Sequence, residues 1–255
     1  MSLLSAKSVT VTNGGRPVCR DMDFFMGSGE VWGVLGPNGI GKTTFLHLLA
    51  GLRQPDTGVV LLHDRPVSSY DSKSLAARVG ILFQDSQDTF PATVLETALM
   101  GRYPHLSYWT WETAEDIRVC MAALEQVSLA AMPHRQINTL SGGERRRLAL
   151  ATLLVQKPTV WLLDEPTNHL DIHHQMVLLE MIVQQVKNHN GGMVMVLQDV
   201  NLVPRFCTHA LLMVNVDQRV SGPVEQVMTV ANLQLLYQHT IRDIQQDGVR
   251  FFYPD

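Results

Sequence analysis

Gly36-Pro37-Asn38-Gly39-Ile40-Gly41-Lys42-Thr43 decides how this chain is read. The stretch satisfies G-x-x-x-x-G-K-[ST] at every fixed position. Its surroundings agree with it. Glu30–Leu35 is a mostly apolar strand candidate that runs straight into the glycines, and Thr43–Ala50 reads as a helix stopped by Gly51. Glycines let backbone N–H groups converge on phosphate oxygens without Cβ in the way. The helix that follows adds the positive end of its dipole. In such a cradle Lys42 reaches the β- and γ-phosphates, and the Thr43 hydroxyl can ligate Mg²⁺. A glycine-rich turn with an incidental surface lysine would explain the eight residues but not the strand and helix on either side.

A second element lies far along the chain. Thr159–Leu163 is a continuous apolar strand that delivers Asp164 and Glu165 at its carboxyl end. Ligands of open α/β sheets bind at that edge. An Asp there can hold Mg²⁺ through water, and a neighbouring Glu can orient or deprotonate an attacking water. Paired acids at a solvated strand end are common on surfaces, so the cradle gives this pair its weight. A third element, Leu140-Ser141-Gly142-Gly143-Glu144, precedes a helix. Ser141 and Glu144 have the spacing of a capping box. A cap does not explain two successive glycines, which are poor helix formers in a first turn. They are useful where a phosphate must approach the backbone. Arg145-Arg146-Arg147 reads as a solvated helix face.

The rest of the chain fits a mostly parallel sheet covered on both faces, because its strand candidates are apolar runs rather than alternations. Ser8–Thr12 and Pro17–Phe24 flank the turn signal Asn13-Gly14-Gly15. Val59–His63, Val79–Phe83 and Met193–Leu197 read as further strands, and Ala210–Val216 with Gln218–Val220 as a closing hairpin. From about Thr93 to Val155 the periodicity is helical, broken at Gly101–Pro104 and Pro133, so a helical block interrupts the sheet. Ile172–Lys187 reads as an amphipathic helix, and the tail from Val224 as helical up to the apolar cluster Phe251-Phe252-Tyr253. The chain has 255 residues, 45% of them hydrophobic and 17% charged, enough for a sizeable core and unlike a disordered segment. Its net charge of −4 makes it a poor candidate for general nucleic-acid binding. Cys19, Cys120 and Cys207 form neither a zinc pattern nor a disulfide framework, which suits a reducing compartment. No run approaches the roughly 18 apolar residues of a membrane span, and the N-terminus lacks the features of a secretory signal. The expectation is a cytosolic protein unless a partner holds it at a membrane.

Taken together and in order, the cradle Gly36–Thr44, Gln84 after a strand, Leu140–Glu144, Leu162-Leu163-Asp164-Glu165 and Asn168-His169-Leu170-Asp171 resemble the nucleotide-binding subunit of an ABC transporter. The likeness covers nearly the whole chain, and the five-residue Leu140–Glu144 signature is rare outside that superfamily. The resemblance implies an α/β fold: a P-loop NTPase core with an N-terminal antiparallel β subdomain and an inserted α-helical subdomain. It implies a single ATPase domain, with residues 1–85 and 157–220 as nucleotide-binding core, 86–156 as helical subdomain and 221–255 as C-terminal tail. ATP and Mg²⁺ would be held by Gly36, Pro37, Asn38, Gly39, Ile40, Gly41, Lys42, Thr43, Thr44, Gln84 and Asp164, with Thr43, Gln84 and Asp164 around the metal. Glu165 would be the main base. Two copies would pair head to tail, each supplying Ser141, Gly142, Gly143 and Asp171 to the other's nucleotide. Integral-membrane permease subunits and a substrate-binding protein would complete a complex on the cytoplasmic face of the inner membrane. The segment Gly101-Arg102-Tyr103-Pro104-His105, which in this family faces the membrane partner, resembles importers of iron-siderophore, haem and cobalamin type, as do Thr167–Gln175 and Pro223–Asp255.

Three positions depart from the family. Gln198-Asp199 stands where His-Asp is usual. Gln198 can donate an amide hydrogen bond to phosphate but cannot carry charge or relay a proton, so slow, nonzero hydrolysis is expected, with Gln198 still counted as catalytic. Asn13 replaces an aromatic that stacks on adenine, which implies looser base discrimination. Ile40 is bulkier than usual and fits if its side chain turns away from phosphate. His173-His174 invites a metal reading, yet adjacent residues do not share a helix face. Two rival classes remain open: a soluble, non-transport ABC ATPase of the iron–sulfur assembly kind, and an ATP-gated switch that barely hydrolyses. A chromosome-type ATPase would need a long heptad insertion that is absent.

Overall fold

The computed structural model describes residues 2–84, 91–106, 112–246 and 249–255, with the side chains of Arg16 and Val249 left aside. Parts of the expected helical subdomain, 86–90 and 107–111, lie outside those residues, as does residue 85 at the end of the first expected core segment. Along the chain, Leu4–Asn13 (β1) and Arg16–Met26 (β2) form an antiparallel hairpin. Val31–Leu35 (β3) leads through the glycine loop into Lys42–Leu49 (α1). Thr57–Leu62 (β4) and Arg65–Pro66 (β5) pair beside β1. Ser72–Ala76 (α2) precedes Val79–Leu82 (β6). Val94–Leu99 (α3), Ala114–Gln126 (α4) and Gly142–Gln156 (α5) build the helical block. Then come Val160–Asp164 (β7), Ile172–Asn188 (α6), Gly192–Val196 (β8), Leu202–Phe206 (α7), His209–Met213 (β9) and Arg219–Pro223 (β10). Val224–Val227 (α8) and Val230–Tyr237 (α9) lead to Ile241–Gln246 (β11) and Val249–Pro254 (β12).

The main sheet runs β10-β9-β3-β8-β7-β6, parallel throughout except for edge strand β10. The period-2 alternation of its central strands separates two cores. Leu35, Trp161, Leu163, Met193 and Met195 face the core shared with α4, α5 and α6. Val34, Val160, Leu162, Val194 and Val196 face the core shared with α1 and the antiparallel sheet β2-β1-β4-β5. Burial on both faces is why these strands read as apolar runs. The order also places β8 between β3 and β7, so the segments leaving these three strands emerge side by side.

The tail is not helical to its end. β11 and β12 pair from Ile241 with Pro254 to Gln246 with Val249, a two-stranded ribbon. Its alternating side chains bury Phe252 and expose Ile244, Phe251 and Tyr253, and this half-wet pattern gives no continuous apolar run. Gly101 also has a structural reason: a Cβ there would lie 2.3 Å from the Thr152 carbonyl of α5, so only glycine permits that approach.

The helical block is closed by a charged joint. Arg102 pairs with Asp116 at 2.7 Å, and Thr113 caps α4 by exchanging hydrogen bonds with the same carboxylate. The Thr113 hydroxyl, its backbone N–H and then Arg102 hold the Asp116 carboxyl down at about 2. A carboxylate held below its ordinary 3.8 adds stability above that value, and the contribution disappears as pH falls toward about 2. We therefore expect Asp116→Asn to be less stable than the parent at about pH 6, with the gap between their urea midpoints closing near about pH 2.

Candidate active site

The glycine loop has the geometry its sequence implies. Gly39 and Gly41 take φ of 79° and 106°, in the left-handed region, and a Cβ on Gly41 would sit 2.0 Å from Val18 Cγ1. Residues with side chains would be strained at both positions. α1 begins at Lys42 with no side chain capping it, so its first-turn N–H groups point into the loop. Ile40 is half-buried; it packs against the core beside Gly36, as its bulk requires. The Lys42 ammonium donates to the Gly36 and Pro37 carbonyls at 2.7 and 3.0 Å, folded over the loop it serves. Burial lowers its pKa, and the carboxylates of Glu165 and Asp164 pull it back up.

The end of β7 meets this loop. The Thr43 hydroxyl donates to Asp164 Oδ2 at 2.6 Å. Asp164 is 2% exposed, and its other oxygen, Oδ1, is buried and accepts no hydrogen bond among the described residues. Burial pushes this carboxyl up, opposed by the Thr43 hydroxyl and reinforced by the Glu165 charge. An orphaned buried carboxylate oxygen beside a threonine hydroxyl is a hard, oxygen-only donor set, which fits Mg²⁺.

Glu165 is buried, and its backbone takes φ of 50°. A non-glycine residue in that region is strained and marks a place where side-chain aim outweighs backbone comfort. Its N–H donates to Val196 O at 3.1 Å, which ties the turn to β8. Its Oε2 accepts from the amides of Gln84, at 3.2 Å, and Asn168. Gln84 therefore meets Glu165 in this state. Gln198 lies just beyond β8, exposed, at the edge between the glycine loop and Glu165. Asn13 is exposed, with its side-chain Oδ1 accepting from Arg53 at 3.3 Å.

The arginine run is not a solvated face. Arg146 is 7% exposed. Its guanidinium donates to the carbonyls of Asp164, Glu165 (2.6 Å), Pro166 (3.3 Å) and Phe83. It thus fastens α5 to the turn that carries both acids and to the segment that carries Gln84. Sequence reasoning missed it because three consecutive arginines give no sign of which one faces inward.

Ser141 opens α5 in a complete capping box: its N–H donates to Glu144 Oε2 at 2.7 Å, and the Glu144 N–H donates to Ser141 Oγ at 3.2 Å. Arg135 steadies Glu144 at 3.0 Å. Gly142 and Gly143 pack against His169 and Leu170, so the signature rests on the Asn168–Asp171 loop. Ser141, Gly142 and Asp171 are nevertheless exposed, whereas Lys42, Asp164 and Glu165 are buried. Asp171 caps α6, and both its oxygens lie within 2.9 Å of His174 Nδ1, so that histidine serves the loop end. Among the described residues no group of His, Cys, Asp and Glu forms a metal cluster.

A family model described as ABC transporter matches residues 19–168, a span that holds the glycine loop, the signature and both acids. The chain belongs to the ABC transporter ATP-binding family. ABC proteins of this kind hydrolyse ATP to drive transport. The chain is 35% identical over 242 residues to the hemin import ATP-binding protein HmuV of Escherichia coli O157:H7, covering 92% of each. It is 31% identical to the ferric enterobactin transport ATP-binding protein FepC of Escherichia coli K12, covering 92% of this chain and 86% of that one. In structure it resembles a chain of a metal-chelate type ABC transporter solved in an inward-facing conformation, with a TM-score of 0.84, 26% identity and coverage of 100% and 98%. No helix among the described residues of this ABC subunit is long and apolar enough to cross a membrane.

Proposed function

We propose that the chain binds two MgATP as a head-to-tail homodimer, hydrolyses them, and thereby drives import of an iron chelate, haem or cobalamin through membrane permease subunits fed by a substrate-binding protein. One observation carries the catalytic part: Lys42, Thr43, Asp164 and Glu165 converge at one sheet edge, while the capped start of α5 faces solvent. Bound MgATP supplies a phosphoanhydride activated by the cation. Thr43 and Asp164 would hold the metal, the first-turn N–H groups of α1 and Lys42 the phosphates, and Glu165 a water proton. Gln84, hydrogen-bonded to Glu165, would link that carboxylate to the membrane-facing segment. Ser141, Gly142, Gly143 and Asp171 would meet the partner's nucleotide.

The cargo reading rests on the hemin and ferric enterobactin relatives. The membrane partner has a candidate seat. A groove of about 360 Å³ between β6, α3 and α5 is lined by Ile81, Phe83, Met100, Ile137, Leu148 and Thr152. Phe83, Met100 and Tyr103 expose apolar surface around it. Seating at this groove would hold the chain at the cytoplasmic face as a peripheral subunit.

The test is copurification from membranes, followed by vesicle uptake of ferric siderophore, haemin and cobalamin. ATP-dependent uptake of one of them, abolished by Lys42→Ala, supports the reading. A stable soluble complex with an iron–sulfur scaffold and no membrane subunit would replace it with the assembly-type alternative. Within the site, Gln198→His is expected to raise turnover by about tenfold or more, because imidazole adds charge and a proton relay. Steady-state hydrolysis measures this, and an unchanged or lower rate would contradict the role given to Gln198.

A further inference from the structure

Asn201 stands at the N-cap of α7, a position that favours asparagine because its side chain can accept from the first turn. Here it does not cap its own helix. Its backbone N–H is taken by Asp199 Oδ1 at 2.9 Å. The carboxamide reaches the C-terminal ribbon instead. The Phe252 N–H donates to Asn201 Oδ1 at 2.7 Å, and Asn201 Nδ2 donates to the Phe252 carbonyl at 3.1 Å. One side chain thus acts as a ladder partner for one residue of β12. The Phe252 ring is buried in the core under the main sheet, so the ribbon is anchored and not merely resting there.

Gln198 lies three residues before this bracket. On its other side, the Leu197 N–H donates to Val34 O at 3.1 Å, a sheet anchor. Between these two fixed points the Gln198 side chain is exposed and has no hydrogen bond among the described residues. The segment 198–200 is therefore a short span: its Asp199 and Val200 carbonyls accept from Leu202 and Val203 at 3.3 and 3.4 Å in the turn that opens α7, and Asn201 ties that turn to the ribbon. On the near side of the ribbon, Tyr237 of α9 lies close enough to Asp199 for that carboxylate, after burial, to raise its phenol pKa.

We propose that Asn201 is a positioning residue for hydrolysis: its two-point grip on Phe252 makes the β11–β12 ribbon the buttress that aims Gln198 at the nucleotide. The inference rests on the proposed role of Gln198. Small displacements of a catalytic group are costly, up to about 100-fold per ångström, whereas binding through α1 and Lys42 would be untouched.

The experiment compares ATP turnover of the full-length chain as parent, Asn201→Ala, Asn201→Asp, Gln198→Ala and the double variant Gln198→Ala/Asn201→Ala. Asn201→Ala should lower kcat about fivefold or more while KM for ATP stays within about twofold. Asn201→Asp keeps the acceptor for the Phe252 N–H and loses the donor, so it should fall between. In the Gln198→Ala background the Asn201 substitution should cost nothing further, the nonadditivity expected of coupled residues. A parental kcat in Asn201→Ala, or the same fold loss in both backgrounds, overturns the inference. Gln198→Ala turning over at the parental rate overturns the role of Gln198 instead. Hydrogen exchange then judges Asn201 without turnover. MgATP-dependent protection of residues 249–255 that disappears in Asn201→Ala supports the buttress, and protection indifferent to Asn201, or absent from the parent, overturns it.

Discussion

Glu165→Gln is expected to cut ATP turnover by about 10²- to 10⁴-fold while leaving MgATP affinity within a few-fold of the parent. The amide fills the same buried space and can still meet Gln84 and Asn168, so the fold should persist. What it loses is the ability to take a proton from water. In the proposed site the phosphate contacts would come from elsewhere, from the first turn of α1, Lys42 and Thr43, so binding should survive. Single-turnover hydrolysis with a parallel nucleotide-binding titration measures both quantities. Comparable rates for the variant and the parent would mean that Glu165 is not the base, and that its strained backbone serves only the turn.

Arg146→Ala should destabilise the chain by about 3–5 kcal/mol, because it leaves several buried carbonyls short of a donor at about 1–3 kcal/mol for each one left unsatisfied. For a chain of this size that corresponds to a fall in Tm of about 10 °C. The carbonyls of Phe83, Gln84, Asp164, Glu165 and Pro166 would each lose a donor at once. Turnover should fall as well, because the turn that aims Asp164 and Glu165 and the segment that carries Gln84 are held by the same guanidinium. Arg146→Lys keeps the charge but not the planar fork, so it should recover only part of the loss. A solvated arginine would cost less than about 0.5 kcal/mol, so thermal unfolding separates the two readings cleanly.

These residues show why some of the structure was readable and some was not. The glycine loop was legible because its chemistry is written in backbone requirements: positive φ at Gly39 and Gly41 admits almost nothing but glycine. Strands β3, β7 and β8 were legible because burial on both faces leaves long apolar runs. Arg146 was not. α5 buries Leu148, Leu150, Ala151, Leu153 and Leu154, a stripe so wide that helical phase does not say which arginine turns inward. Its partners are also backbone carbonyls, which leave no trace in sequence. The β11–β12 ribbon hid for a different reason. Half of it is wet, so neither strand forms an apolar run, and the helical pattern from Val224 carried the helical reading on toward Phe251. Asn201 was invisible because its partner lies fifty-one positions away and is again backbone.

Ser141, Gly142 and Asp171 face outward while Lys42, Asp164 and Glu165 sit inside one chain, so in the proposed head-to-tail pair each site would be completed by a second copy. ATP would then be the ligand whose preference for the closed pair shifts the population toward it. Light scattering of Glu165→Gln with and without saturating MgATP tests this most directly. The account predicts a monomer or weak dimer without nucleotide and a stable dimer with it, and a return to the nucleotide-free behaviour when Ser141→Arg is added. A chain that stays monomeric while fully loaded with MgATP, or dimerises just as well with Ser141→Arg, would contradict it.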